Sequence, residues 1–176
     1  MSDTFITIIA IFLAATLMFV FPLMTMADRN DDITHLTVQT ATTEFVDEIR
    51  RTGKHTYDKY NSFLTSIAAT GNAYDVEMQF KILDENPAKK TYQSGDTAVI
   101  GENVYYSVYT TQIEDKLANS EGKVYLLKEG DIVSVSVKNR GATLAQTLRN
   151  VYYRVTGNDT YTIAASSAGT VTVNGK

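Results

Sequence analysis

One uninterrupted apolar segment near the N-terminus constrains this chain more than any other feature. No charged residue occurs between Phe5 and Ala27, whereas the next five residues, from Asp28 to Asp32, carry four charges. As a helix, 23 residues would extend about 35 Å, which is enough to cross a hydrocarbon core of about 30 Å. The sequence therefore predicts a membrane-spanning or filament-core helix at residues 5–27.

A cleaved signal peptide is a second interpretation of this segment. Such peptides usually combine a basic start with an apolar stretch of about 7–15 residues. Here Met1–Thr4 contain no Lys or Arg and the apolar run is longer, although Thr25–Ala27 would suit cleavage. We therefore expect a retained helix. Its orientation stays open, because the nearest basic residue is Arg29, on the C-terminal side.

The helical pattern continues beyond the apolar segment. Four apolar residues follow at spacings of three and four, and Gly53 supplies a C-terminal cap after two arginines. We expect one helix over residues 1–52, with a globular head domain at residues 53–176. The stripe that holds the head to this helix is predicted to consist of Val38, Ala41, Phe45 and Ile49.

Three segments of the head favour helices. Thr56 is a suitable N-cap and Gly71 a suitable stop for the first of them. The second is ambiguous, since Val104–Tyr109 alone would suit a strand, but the charged residues that follow favour a helix. The predicted helices are residues 56–70, residues 102–122 and residues 143–153, the last with Leu144, Leu148 and Val151 facing inward.

The strands of the head are predicted from alternation of apolar and polar residues. Residues 74–82 alternate strictly and form the clearest strand, and residues 84–96 are expected to be a long loop. Two hairpins are predicted, one over residues 123–139 and one pairing Tyr161–Ala165 with Gly169–Val173. The sum is an α+β fold, in which a long N-terminal helix leads into a small antiparallel sheet of about five strands with helices on one side.

Composition excludes several classes of function. A net charge of −4 and no basic stripe argue against nucleic acid, and the absence of Cys removes disulfides and thiolate metal sites. His35 and His55 lack ligand spacing, and no phosphate loop, serine-hydrolase elbow or zinc-protease motif occurs. We expect neither an enzyme nor a cofactor. The acidic residues Asp28, Asp31 and Asp32 are interpreted as a solvated collar rather than a calcium site.

Two residues of the N-terminal helix have more than one interpretation. Pro22 removes one helical hydrogen bond, which makes it either a tolerated kink or a weak point where the helix bends. Asp3 precedes the apolar run, where it either sits in the lipid headgroup layer or pairs with the N-terminal amine of a neighbouring copy.

This arrangement resembles the type IV pilins, in which an apolar helix with an internal proline continues as an amphipathic helix into an antiparallel head. Residues 40–80 and 126–139 are also similar to pilins or pseudopilins of the tight-adherence type from Gram-positive bacteria. The chain departs from the family in lacking a basic leader that ends in Gly, and in having Asp3 before the apolar run rather than inside it. It would be either a mature form or a divergent branch.

The resemblance implies a structural subunit that resides in the membrane as a single-pass protein and then polymerises into an extracellular filament. Expected partners are other copies of the chain, the membrane, an assembly ATPase and a platform protein. The implied assembly interface comprises Asp3, Phe5, Ile6, Ile9, Phe12, Leu13, Leu17, Phe21 and Pro22.

A different class of function fits the same sequence. The first helix could merely tether a monomeric extracellular binding or adhesion domain, or an accessory protein of a secretion machine. Under that hypothesis the identity of residues 5–27 would not matter beyond their length and hydrophobicity.

Overall fold

A single helix, α1, spans Ser2–Thr52 in the computed structural model, which describes residues 2–84, 105–147 and 164–176. Its 51 residues correspond to a length of about 76 Å. The helix continues through Pro22 and ends at Gly53, whose φ is +64°. The Gly53 N–H donates to the Ile49 carbonyl at 2.8 Å. The predicted long helix and its glycine cap are therefore confirmed.

The described part of the head contains two antiparallel sheets. Four strands are arranged in the order β3-β2-β5-β6, and the short strands β1 and β4 pair separately. One helical turn at 144–147 follows the sheet strand β5. The elements are β1 (Lys54–Thr56), α2 (Tyr57–Ala68), β2 (Tyr74–Leu83), β3 (Tyr105–Tyr109), α3 (Thr110–Asn119), β4 (Val124–Leu126), β5 (Ile132–Asn139) and β6 (Ala164–Thr170).

One face of the larger sheet forms the core. Strand β2 alternates as predicted, with Met78 and Phe80 buried while Glu77 and Lys81 are exposed. Side chains from α1, α2 and α3 join these residues in a single apolar cluster. The helices therefore cover the same side of the sheet, which confirms the α+β architecture.

Both predicted hairpins are wrong. Strand β4 pairs with β1, placing Tyr125 opposite His55, and β5 instead joins β2 and β6. Strand β1 has three residues, too few to show a period in the sequence. At the C-terminus, residues 164–170 form one strand rather than two arms of a turn. Its small side chains have low strand propensity, but they allow α1 to pack closely against it.

The segment predicted as a helix over residues 102–122 is split within its described part, which begins at Tyr105. Tyr105–Tyr109 pairs with β2 as an edge strand, and only Thr110–Asn119 is helical. The change occurs at Tyr109, whose N–H donates to Gln112 Oε1 at 3.1 Å. Pairing with β2 buries Val108, which explains why the tertiary context overrides the helical pattern there.

The last predicted helix and the predicted loop fall partly outside the described residues. Only 144–147 of the helix are described, and Leu144 is 61% exposed, which corrects its predicted inward position. Its neighbours Ala145 and Gln146 are buried instead. Leu148 and Val151, and the loop after Asp84, lie outside the described ranges.

Substituting Gly53 should destabilise the head strongly. A Cβ at Gly53 would overlap the backbone of Val173 and Gly175, in addition to the strain of a positive φ. We expect Gly53→Ala to lower the free energy of unfolding by about 3 kcal/mol or more. Chemical denaturation of the full chain in detergent would measure this.

Gly71→Ala is the matched control. Gly71 also has a positive φ, +83°, but a Cβ there would meet nothing within 4 Å. Gly71→Ala should therefore lower the free energy of unfolding by only about 1 kcal/mol, which is the backbone strain of Ala at a positive φ. Equal costs for the two variants would contradict a close approach at Gly53.

Candidate functional site

The apolar segment, residues 5–27, projects from the head. The 18-residue window that makes α1 long and apolar enough to cross a membrane has none of its residues buried. All the residues assigned to assembly from sequence are exposed, the large aliphatic and aromatic ones between 43% and 74%. The segment therefore offers its whole circumference to lipid or to another protein. These residues are Asp3, Phe5, Ile6, Ile9, Phe12, Leu13, Leu17, Phe21 and Pro22.

The hydroxyl groups in this segment are satisfied within the helix. Thr7, Thr16 and Thr25 each donate to the carbonyl four residues earlier, at 2.7 to 3.0 Å. Such pairing lets a polar side chain enter an apolar environment without an unmet hydrogen bond. None of the three bonds reaches the Met18 carbonyl, whose helical donor is lost at Pro22.

The second half of α1, residues 31–52, is here called the stem. It carries the predicted stripe: Val38, Phe45 and Ile49 are buried in the core, and Ala41 packs against it partly buried. Val46 and Thr42 are also fully buried, so the contact face is wider than the sequence pattern predicted. Thr42 can be buried because its hydroxyl donates to the Val38 carbonyl at 2.7 Å.

The stem lies beside the edge strand β6 and runs in the same direction. His35 Nε2 is 3.1 Å from the Ala164 carbonyl, and Gln39 Nε2 donates to the Ser166 carbonyl at 3.2 Å. Further along, Arg50 Nε donates to the Thr170 carbonyl at 3.0 Å. From residue 35 to residue 50 the helix rises about 22 Å, which matches a strand length of about 20 Å.

Among the described strands β6 lies at the edge of the sheet, and these bonds occupy its outer side. Carbonyls of an edge strand have no strand partner on their outer side, and they can pair with another chain. Here the stem supplies the donors. Gly169 makes room for Arg50, which has the longest of these donor side chains. A Cβ at residue 169 would overlap the Arg50 side chain.

A buried acid holds the start of the stem. Asp31 Oδ2 accepts a hydrogen bond from Thr143 Oγ1 at 2.6 Å, and both residues are buried. Thr143 Oγ1 accepts from the Gln146 N–H at 3.2 Å, while Gln146 Oε1 accepts from the Thr143 N–H at 3.0 Å. This reciprocal pattern is a capping box at the helical turn 144–147.

The acidic collar is therefore only partly solvated. Asp32 is exposed and Asp28 half-buried, but Asp31 is enclosed between stem and head. In the sequence, the Thr-x-x-Gln spacing at residues 143–146 indicates a helix cap. No local pattern indicates that Thr143 also contacts Asp31. Within the described ranges, no three His, Asp or Glu side chains are grouped as a metal site requires.

His55 occupies a dry aromatic site at the junction of stem, α2 and sheet. Its ring lies 5.6 Å from Phe45, 5.6 Å from Tyr60 and 5.7 Å from Phe80, in near-perpendicular arrangements. The side chain is fully buried, and neither ring nitrogen has a hydrogen-bond partner among the residues that the structure describes. Burial lowers the pKa of His55 to about 4, because a charged imidazole is poorly solvated there.

Comparison with known proteins assigns no family. The chain matches no family model, and neither a curated protein nor a solved structure matches it.

Removing the Asp31 carboxylate should loosen the stem from the head. Asp31→Ala leaves the buried Thr143 hydroxyl without its acceptor, so we expect a loss of about 1–3 kcal/mol in the free energy of unfolding. Asp32→Ala, at the exposed neighbouring position, should change it by less than about 0.5 kcal/mol. A double-mutant cycle with Thr143→Val measures the coupling directly, and additive losses would contradict the contact.

The head should become less stable in acid because of His55. Its pKa falls from 6.5 in the unfolded chain to about 4 in the folded chain. The free energy of unfolding that depends on a neutral His55 is therefore fully present above pH 6.5, and it is lost as the pH falls towards 4. A shift of this size corresponds to about 3 kcal/mol.

The matched variant for this pH dependence is His55→Phe, which keeps an aromatic ring in the site and removes the titration. Between pH 7 and pH 4, the free energy of unfolding measured with denaturant should fall less steeply for this variant than for the parent chain. Parallel curves for the two proteins would show that His55 is not buried in its neutral form.

Proposed function

We propose that this chain is a structural subunit of an extracellular, type IV pilus-like filament, and that it polymerises through its apolar segment. One observation carries the proposal. A single helix holds the head tightly along its second half, while every described residue from Phe5 to Pro22 is exposed.

The absence of a linker favours this function over a simple tether. The head first contacts α1 by a buried side chain at Asp31, only four residues beyond Ala27. A tether needs no rigid link between its anchor and its domain. In a polymer, however, a rigid link means that regular packing of the apolar helices imposes a regular arrangement on the heads.

Assembly would exchange lipid for protein around the apolar segment. Lipid tails and apolar side chains are similar in polarity, so helix association depends on close packing rather than on the hydrophobic effect. Because the Thr7, Thr16 and Thr25 hydroxyls are already paired within α1, the segment can leave the membrane without exposing those groups unpaired. The proposed partners are other copies of this chain, the membrane before assembly, and the assembly ATPase and platform protein that such filaments use.

The proposed role is structural rather than enzymatic. Several buried polar residues of the described part serve packing: Asp31 holds Thr143, Thr42 bonds within its own helix, and His55 lies among aromatic rings. These contacts support a rigid subunit. Adhesion, secretion or DNA uptake would then be properties of the assembled filament.

A scrambled apolar segment tests the proposal. The variant keeps the composition of Phe5–Ala27 in a different order, with Pro22 unmoved, so it still crosses the membrane but presents different packing surfaces. Negative-stain electron microscopy of sheared cell-surface material should show filaments for the parent chain and none for the scrambled variant. Membrane fractionation and head stability should be the same for both.

Two results would overturn the proposal. Filaments formed equally well by the scrambled variant would mean that the segment is not the polymerisation element. Monodisperse monomers of the parent chain, with no filaments on cells, would favour the membrane-anchored binding domain or secretion accessory protein instead.

A further inference from the structure

Residues 172–176, here called the clasp, lie across the end of the stem that is farthest from the apolar segment. The Gly175 N–H donates to the Leu127 carbonyl at 2.9 Å. The backbones of Gly175 and Gly53 are so close that a Cβ on either glycine would overlap a backbone atom of the other. The clasp is therefore held by main-chain contacts that leave no room for an added carbon.

The clasp also completes the pairing of the chain beside β4. The Leu127 N–H donates to the Gly53 carbonyl at 2.8 Å, while the Leu127 carbonyl accepts from Gly175. Leu127 is thus bonded on one side to the end of the stem and on the other to the clasp. Detachment of the clasp would break the second bond and weaken this end of the head.

A chemically labile dipeptide, Asn174–Gly175, lies within the clasp, and no other Asn of the chain precedes a Gly. In such a pair the Gly nitrogen can attack the Asn side chain, because Gly has no Cβ to hinder the approach. A bond forms between Gly175 N and Asn174 Cγ, and the side-chain nitrogen leaves as ammonia with the proton. Water then opens the resulting succinimide to aspartate or isoaspartate.

The fold restrains both reacting groups. The Gly175 nitrogen is bonded to Leu127, and Asn174 Oδ1 accepts from the Glu129 N–H at 2.8 Å. Attack requires the nitrogen to lose its acceptor and the side chain to turn towards it. Since Asn174 is exposed, water is at hand for the second step. Opening of the clasp is therefore the step that limits the reaction in the folded chain.

We propose that Asn174 is a site of spontaneous deamidation controlled by the clasp: it reacts while the clasp is open, and its isoaspartate product prevents the clasp from closing again. Isoaspartate lengthens the main chain by one carbon, about 1.5 Å. Gly175 would then no longer fit between Leu127 and Gly53, where one extra carbon already overlaps the backbone. The modification makes a transient opening of the head permanent.

Peptide mapping by mass spectrometry measures the reaction, because exchange of the amide for a carboxyl group adds about 1 Da. The full-length chain in detergent and the same chain in denaturant are incubated side by side at mildly alkaline pH. Asn174 should deamidate at least about tenfold more slowly in the folded chain, and in denaturant it should react fastest of all the Asn residues. Equal rates in the two states would overturn control by the clasp.

Glu129→Pro loosens the clasp with little change elsewhere. Glu129 is the second residue of a turn in which Gly130 has a φ of +96° and the Asp131 N–H donates to the Lys128 carbonyl at 3.1 Å. Proline suits this position but cannot donate to Asn174. Loss of one hydrogen bond should accelerate deamidation of the folded chain about two- to tenfold. An unchanged rate would contradict the proposed restraint.

Gly53→Ala and Gly71→Ala form a matched pair for the same measurement. Both place Ala at a positive φ, but only the Cβ at residue 53 would overlap the clasp. Gly53→Ala should bring the rate close to that in denaturant, whereas Gly71→Ala should keep the parent rate. Equal rates for the two would overturn the proposal. Circular dichroism identifies folded variants, and if Gly53→Ala is unfolded, Glu129→Pro decides.

Thermal unfolding of aged protein tests the block to closure. The deamidated parent chain should have a Tm at least about 2 °C below that of fresh protein. Asn174→Gln is the control, because its longer side chain forms the corresponding ring far more slowly, and its Tm should not fall with age. An unchanged Tm of the deamidated parent, or an equal fall in Asn174→Gln, would overturn the block.

Discussion

The contact between the stem and strand β6 is the constraint on which the rest of the structure depends. Small side chains in β6 let α1 approach, and donors from the stem meet carbonyls along most of the strand. At the far end, the Thr172 N–H donates to the Arg50 carbonyl at 3.0 Å. The same contact thus protects the sheet edge, satisfies the end of the helix and fixes the direction of α1 relative to the head.

Because that direction is fixed, one helix can serve two different environments. On the face towards the head, Val38, Phe45 and Ile49 are buried, whereas the described residues from Phe5 to Leu23 are all exposed. The division lies near Asp31, the first fully enclosed side chain of α1 among the described residues, which is hydrogen-bonded to the head. Attachment so close to the apolar segment leaves little freedom between them, and this supports a role in which head positions are set by helix packing.

Long periodic elements were predictable, and short or non-local ones were not. Helix α1 and strand β2 carry their own repeating patterns over 51 and 10 residues. Strand β1 is too short for a pattern, and β6 looks like a turn because its Ala, Ser and Gly residues suit the helix beside it rather than a strand. The Asp31–Thr143 bond and the aromatic site of His55 join distant parts of the chain, so no local spacing could reveal them.

Pro22 has a mechanical consequence for such a helix. The residues after it, as far as Thr52, form an arm of about 45 Å. A change of about 10° in direction at the proline, where one hydrogen bond is missing, would displace the far end of that arm by about 8 Å. Small bends at Pro22 would thus be amplified into large movements of the head relative to the apolar segment.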